Sequence, residues 1–198
     1  MTPSAAGSPS TEPHRSSVQY PGGLAARYRW VGSQQAAAIS ATSEVGGTFA
    51  DHGPLVSDDP DRLCRAELRI EGPLGAWTAR LASTIFDEPQ GILWDTTGLL
   101  VVKYGFCAYA FVGRTGELRW THATRTPLIS IIASSRLHHV IAQSELETAA
   151  LGQDGGVLWR VAHPDVIAEA ELVGGSLVLT CYTGLLQSLD PQTGRAPS

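Results

Sequence analysis

From about Pro89 onward, apolar residues come in short alternating runs broken by glycine-containing turns, the period-two signature of half-buried strands. Over residues 128–161 the pattern predicts four strands, at 128–132, 137–143, 145–151 and 157–161. The same arrangement recurs on both sides. Gly116, Gly155 and Gly194 stand 39 residues apart, as do Trp120 and Trp159. At that offset the flanking runs align without a gap, Val101-Val102 against Val140-Ile141 and Leu179-Thr180, with Cys107, Leu146 and Leu185 at one shared position. A tight turn before the fourth strand calls for a residue that tolerates positive φ, hence glycine. A large flat ring closing that strand is suited to covering the neighbouring unit. Four short strands in a period of about 40 residues make a β-propeller blade. A helical or horseshoe solenoid would place a helix in each period, and the pattern shows none.

The expected fold class is therefore all-β: a small or partial β-propeller of four-stranded antiparallel blades of about 39 residues, behind a disordered N-terminal tail. Residues 1–25 hold five Ser, four Pro and three Gly without apolar periodicity, which predicts a mobile segment. The propeller-type domain is assigned to 26–198. Its repeat blades fall at 89–122, 128–161 and 166–198, and an irregular blade at 33–83. Within the latter, residues 36–41 fit a short helix or a strand of small residues. Residues 65–70 alternate as a strand, with 77–81 as hairpin partner across Gly72-Pro73-Leu74-Gly75. Asp58-Asp59-Pro60-Asp61 reads as an exposed acidic turn, without the spacing of a calcium loop. The third repeat breaks off where its fourth strand should begin, and Ala26-Arg27-Tyr28-Arg29-Trp30 resembles that strand. Segment 26–32 is thus expected to close a ring of four; the alternative is an open partial ring that forms a homodimer or belongs to a longer chain.

Leu189-Asp190-Pro191-Gln192-Thr193-Gly194 and Thr115-Gly116-Glu117-Leu118-Arg119-Trp120 resemble the pyrroloquinoline-quinone-like (PQQ-like) repeat, in which an apolar strand ends in Leu-Asp-x-x-Thr-Gly and the next strand closes in Trp. The resemblance covers about residues 89–198. The second copy, Leu151-Gly152-Gln153-Asp154-Gly155, is looser. A quinoprotein relative would imply a dehydrogenase with its cofactor on the ring axis, a calcium ion and commonly a vicinal disulfide. This chain has no adjacent cysteines, so the resemblance implies the fold and no cofactor. WD-type repeats match less well, since Trp94-Asp95 lies in a first strand.

Composition narrows the function. At 198 residues the chain is long enough to bury roughly 70% of the surface its unfolded form exposes. A 43% hydrophobic and 17% charged composition excludes a wholly disordered protein. A net charge of −5 without basic clusters argues against nucleic acid as partner, and the absence of a long apolar run argues against a membrane span. Thirteen of the fourteen basic residues are Arg, which points to a GC-rich, bacterial coding sequence. Met1-Thr2-Pro3-Ser4 begins no basic-then-apolar leader, so a cytoplasmic setting is expected. Cys64, Cys107 and Cys181 read as three reduced, mostly buried thiols.

Candidate chemistry is sparse. No phosphate loop, dinucleotide fingerprint, zinc-protease helix or nucleophile elbow is present, so no catalytic or metal-ligating residue is assigned. Glu169 and Glu171 alternate on one face of a first strand, the strand that lines a propeller channel, and would suit a cation or basic peptide. His138-His139 are adjacent in an expected strand and point to opposite faces, which leaves His138 as a single candidate binding group. Trp94 and Trp77 break the repeat and are candidates to line a ligand pocket. The expected function is a non-catalytic binding or scaffolding module for a protein or small ligand; an enzyme related to PQQ-dependent dehydrogenases is the alternative.

Overall fold

The computed structural model describes residues 12–41, 48–52 and 62–196. These form four sheets in a row, each mainly antiparallel. The first contains β1 (His14–Tyr20), β2 (Leu24–Val31), β3 (Thr48–His52), β4 (Cys64–Gly72) and β5 (Gly75–Ser83), in the order β1-β2-β4-β5-β3. Only β3 runs parallel to its neighbour β5. Helix α1 (Ala36–Ala41) packs on β2 and β4. The second sheet is β6 (Gln90–Trp94), β7 (Leu99–Tyr104), β8 (Cys107–Val112) and β9 (Leu118–Ala123); the third is β10 (Leu128–Ile132), β11 (Val140–Ser144), β12 (Glu147–Leu151) and β13 (Val157–Ala162). The fourth has β14 (Ile167–Val173), β15 (Ser176–Cys181) and β16 (Leu186–Leu189). The fold is all-β and of propeller type.

Alternation decides which side chains meet. In the first sheet Leu24, Ala26, Tyr28, Ala66, Leu68 and Ile70 turn toward Leu100, Val102, Tyr109 and Phe111 of the second. The alternate residues of the first sheet form a charged ladder instead. Arg29 Nη2 donates to Glu67 Oε1 at 2.7 Å, Arg80 Nε lies 3.5 Å from Glu67 Oε2, and Glu67 is only 4% exposed. Val101 and Ala110 of the second sheet pack on Val140 and Ala142 of the third. Ile141 of the third then meets Leu177, Leu179 and Leu189 of the fourth.

Each interface is also pinned by a tryptophan on the glycine turn of the next sheet. Trp77 covers Gly116, Trp120 covers Gly155 and Trp159 covers Gly194. Those glycines have φ of +75°, +82° and +69°, and a Cβ on Gly155 would come within 2.7 Å of Trp120 Cγ. Both the left-handed backbone and the ring contact therefore demand glycine there. Trp77 Nε1 donates to Gly113 O at 2.9 Å and Trp120 Nε1 to Gln153 O at 3.0 Å. Trp159 Nε1 is buried without a partner.

Several expectations need correction. The serine- and proline-rich segment 1–25 is not uniformly a tail: His14–Tyr20 is β1, held because Tyr20 Oη donates to Gly91 O at 2.8 Å and meets Tyr28 Oη at 3.0 Å. Residues 1–11 lie outside the described residues, as do Asp58, Asp59 and Asp61. Segment 26–32 does not complete the last sheet; as β2 it pairs on one side with β1 and on the other with β4. The irregular 33–83 unit is accordingly part of a sheet that begins at residue 14. Among the described residues, no apolar cluster joins the fourth sheet to the first. The gapless 39-residue alignment also slips. Leu100 and Val102 face backward as Val140 and Ala142 do, an offset of 40, whereas the aligned Val101 and Val140 are opposite walls of one interface. A one-residue slip exchanges the two faces of a strand. Trp77 stands outside the 39-residue spacing yet lines no groove among the described residues, since it is the docking ring of the first sheet.

Candidate functional site

The connections between first and second strands, and those between third and fourth, emerge at one end of the row of sheets. There the 133–139 connection, the Gly174-Gly175 turn and the 190–194 turn enclose a groove of about 430 Å³ between the third and fourth sheets. Its apolar part is Leu137, Leu172 and Pro191; its polar part is Ser134, Arg136, Asp190 and Gln192. Two bonds across the groove's base fix its width. His139 Nε2 lies 2.8 Å from Pro191 O, and Gln192 Nε2 donates to Arg136 O at 3.0 Å. Leu137 and His139 are buried and anchor the connection, while Arg136 and His138, which alternate with them, are exposed. Arg136 forms no ion pair within the described residues, so its guanidinium is free to meet an acceptor. The Gly174-Gly175 turn, with φ of +59° and +89° and no atoms near either ideal Cβ, keeps the mouth low. A second groove, about 190 Å³, lies between the second and third sheets and shares Ser134; Leu93, Trp94 and Asp95 line it.

The predicted site residues scatter. Trp94 reaches the smaller groove as floor, because it is 2% exposed and its Nε1 is buried without a partner. Glu169 and Glu171 are exposed on one face of β14, opposite Thr180 and Val178, and line neither groove. His138 is exposed next to the larger groove but is not among its walls. Arg136, Gln192 and the Gly174-Gly175 turn were missed. Their signals in the sequence are slight: a Ser-Ser-Arg turn before an apolar run, and a glycine pair between two strands.

The opposite rim carries a buried polar chain that ties the third sheet to the fourth. Gln143 Nε2 donates to Ser144 O, Thr148 Oγ1 donates to Gln143 Oε1 at 2.5 Å, and Thr148 Oγ1 lies 2.6 Å from His163 Nε2. His163 Nδ1 is 3.3 Å from Gln187 Oε1. Burial pushes the His163 pKa down, and the Gln187 contact opposes this. Gln143 and Thr148 are fully buried, so the chain has no room for a substrate and acts as a fastening between sheets. A similar fastening holds the loop before β6: Lys103 Nζ donates to both carboxylate oxygens of Asp87, at 2.9 and 3.0 Å.

The vicinal disulfide and the calcium ligands that a quinoprotein resemblance would imply are not found among the described residues. The three cysteines are free and stand on β4, β8 and β15, and among the described residues no group of three or more His, Cys, Asp or Glu side chains is placed to hold a metal. Burial raises the thiol pKa of Cys64 and of Cys107, the reverse of an activated thiolate.

No protein-family model and no curated protein sequence matches the chain. Solved structures do. The dihydro-heme d1 dehydrogenase NirN in complex with DHE is similar with a TM-score of 0.53 and 11% identity, over 75% of this chain and 36% of that one. The computationally designed Ika4 protein has a TM-score of 0.50 and 8% identity, over 75% of this chain and 94% of that one. BamB from Moraxella catarrhalis is 18% identical over 59% of this chain and 38% of its own, with a TM-score of 0.46. At these identities the likeness establishes the propeller-type fold alone. The chain spans well under half the length of the NirN and BamB chains it matches. Among the described residues no helix is long and apolar enough to cross a membrane.

Proposed function

We propose that this chain is a binding module of the PQQ-like repeat type, which uses the loop-bearing end of its sheets to hold a peptide segment of a partner protein. The observation that carries this is the groove between the third and fourth sheets: an apolar wall of Leu137, Leu172 and Pro191 beside the exposed Arg136, which makes no ion pair within the described residues, with Asp190 and Gln192 at the facing turn. Such a surface suits an apolar side chain followed by a carboxylate. The rigid scaffold on which the loops stand supports the same reading, since sheets pinned by Trp–Gly contacts leave the loops free to vary. The PQQ-like assignment rests on the Leu-Asp-x-x-Thr-Gly stretch ending at Gly194 and on Trp120 and Trp159 in the fourth strands β9 and β13. Neither groove brings a catalytic set together among the described residues, which favours the binding reading over a dehydrogenase.

Peptides selected from a random display library on the full chain test it. They are expected to be apolar-acidic, to shift the NMR resonances of Arg136, Gln192 and Gly174, and to bind Arg136→Glu about 10-fold more weakly. Selected peptides that bind Arg136→Glu with equal affinity and perturb other regions would overturn the reading.

A further inference from the structure

Two turns that frame the larger groove carry charges of opposite sign that are not spent on each other. Arg136 stands on the 133–139 connection of the third sheet and Asp190 on the 190–194 turn of the fourth, and both line the groove. Among the described residues neither takes part in an ion pair. The bonds across the groove's base set them apart. Gln192 Nε2 reaches Arg136 O and His139 Nε2 meets Pro191 O, so the two segments run side by side, with Arg136 against Gln192 and Asp190 beyond Pro191. Leu137 and Pro191 are the apolar steps between the two charges. The Asp190 carboxylate is held in place, because its Oδ1 accepts the Gln192 N–H at 2.7 Å. Its Oδ2 has no partner among the described residues.

The rest of the groove fits a ligand with charge at both flanks. The amides of Gly174 and Gly175 make no hydrogen bond among the described residues, and no atom stands near either ideal Cβ, so the main chain of a ligand can approach there. At about 430 Å³ the groove lies toward the small end of the roughly 300–1,000 Å³ of ligand pockets, so a few side chains decide what enters. The smaller groove is lined by Asp95 and by no basic residue. The opposed pair is therefore particular to the larger groove and is not imposed by the repeat. The 198 residues together carry a net charge of −5, so a cationic group on a ligand gains from the overall field as well as from Asp190.

We propose that the segment held in this groove is dipolar: one or two apolar residues with a carboxylate side chain on one flank, facing Arg136, and a lysine or arginine on the other, facing Asp190. The inference rests on the groove being a peptide site and adds the basic residue to what that site selects. Leu137, Leu172 and Pro191 take the apolar side chains and supply most of the affinity. The two charges supply specificity, since a segment acidic on both flanks sets a carboxylate against Asp190 and one basic on both flanks sets a cation against Arg136.

The test uses the full chain and two end-blocked peptides, acetyl-Gly-Lys-Leu-Leu-Glu-Gly-amide and the same peptide with glutamine in place of lysine, titrated by NMR. The lysine peptide is expected to shift the resonances of Leu137, Gly174 and Gln192 and to bind about 5-fold more tightly than the glutamine peptide. That preference should vanish at about 1 M salt, where exposed charges are screened. Asp190→Asn keeps an Oδ1 for the Gln192 N–H and removes only the charge, so its melt should match that of the parent chain. It is expected to bind both peptides equally, with the affinity the parent shows for the glutamine peptide. A lysine preference that survives Asp190→Asn overturns the dipolar assignment. So does equal affinity of the parent chain for both peptides while Arg136→Glu weakens both, and that outcome leaves the apolar-acidic reading standing. No shift of the groove resonances by either peptide up to about 1 mM overturns the groove as a peptide site, and the dipolar assignment with it.

Discussion

The first interface, between the β1–β5 sheet and the β6–β9 sheet, gathers fifteen buried apolar residues, among them Tyr28, Trp30, Tyr104, Tyr109 and Phe111. The last, between the third sheet and the fourth, gathers seven, none aromatic. Polar groups take up the difference: Gln143, Thr148, His163 and Gln187 run as a hydrogen-bonded chain through the last interface. The docking tryptophans follow the same gradient. Trp77 is 3% exposed and its indole N–H is satisfied, whereas Trp159 is only partly buried and its N–H finds no partner. Because apolar burial scales with area while a satisfied hydrogen bond adds little net, cohesion falls from the first interface to the last. The outer face of the first sheet is closed by the Arg29–Glu67–Arg80 ladder beneath α1, while the last sheet ends on an uncharged edge.

The gradient can be broken most directly at the tryptophans. Trp77→Ala is expected to cost about 3–5 kcal/mol in chemical denaturation, and Trp159→Ala about half as much. Equal losses would mean that the two interfaces cohere equally. Native-state hydrogen exchange sharpens the same contrast. Amides of β15 should open by a local route at least about 2 kcal/mol below those of β4, because the last interface gathers fewer buried apolar residues than the first. The smallest effect is the pH dependence at His163. Its pKa in the folded chain lies below the ordinary value because burial disfavours the imidazolium, so below about pH 6.5 the unfolded chain binds more protons. Stability should hold constant above that pH and fall as the solution is acidified toward pH 5, by no more than a few degrees in Tm. His163→Gln should flatten part of the slope; the remainder belongs to His52 and His122, whose burial also lowers their pKa.

Much of this was legible in residue spacing. The glycine turns at 116, 155 and 194 and the rings at 120 and 159 are local demands, a left-handed backbone and a large apolar surface, and such demands leave their mark at fixed positions. The strands at 65–70 and 77–81 were legible for the same reason, and the structure pairs them across Gly72 and Gly75. The function of Trp77 was not, because it stands 43 residues before Trp120 and the period fails there. β1 was hidden by its serines; what holds it is Tyr20 reaching Gly91, 71 residues away. The groove was equally hidden. Arg136, Pro191 and Gly174 lie on three separate turns, and only the packing of the third sheet on the fourth brings them together.

Taken alone, then, the order of residues settled the strand alternation, the four-strand period and the glycine–tryptophan pairs, since each depends on neighbours within one hairpin or on a single conformational requirement. Tertiary structure decided the partners of β2, the faces met across each interface and the groove. Those depend on which of two sheet faces is buried, and a shift of one residue, invisible to a count of periods, reverses that choice.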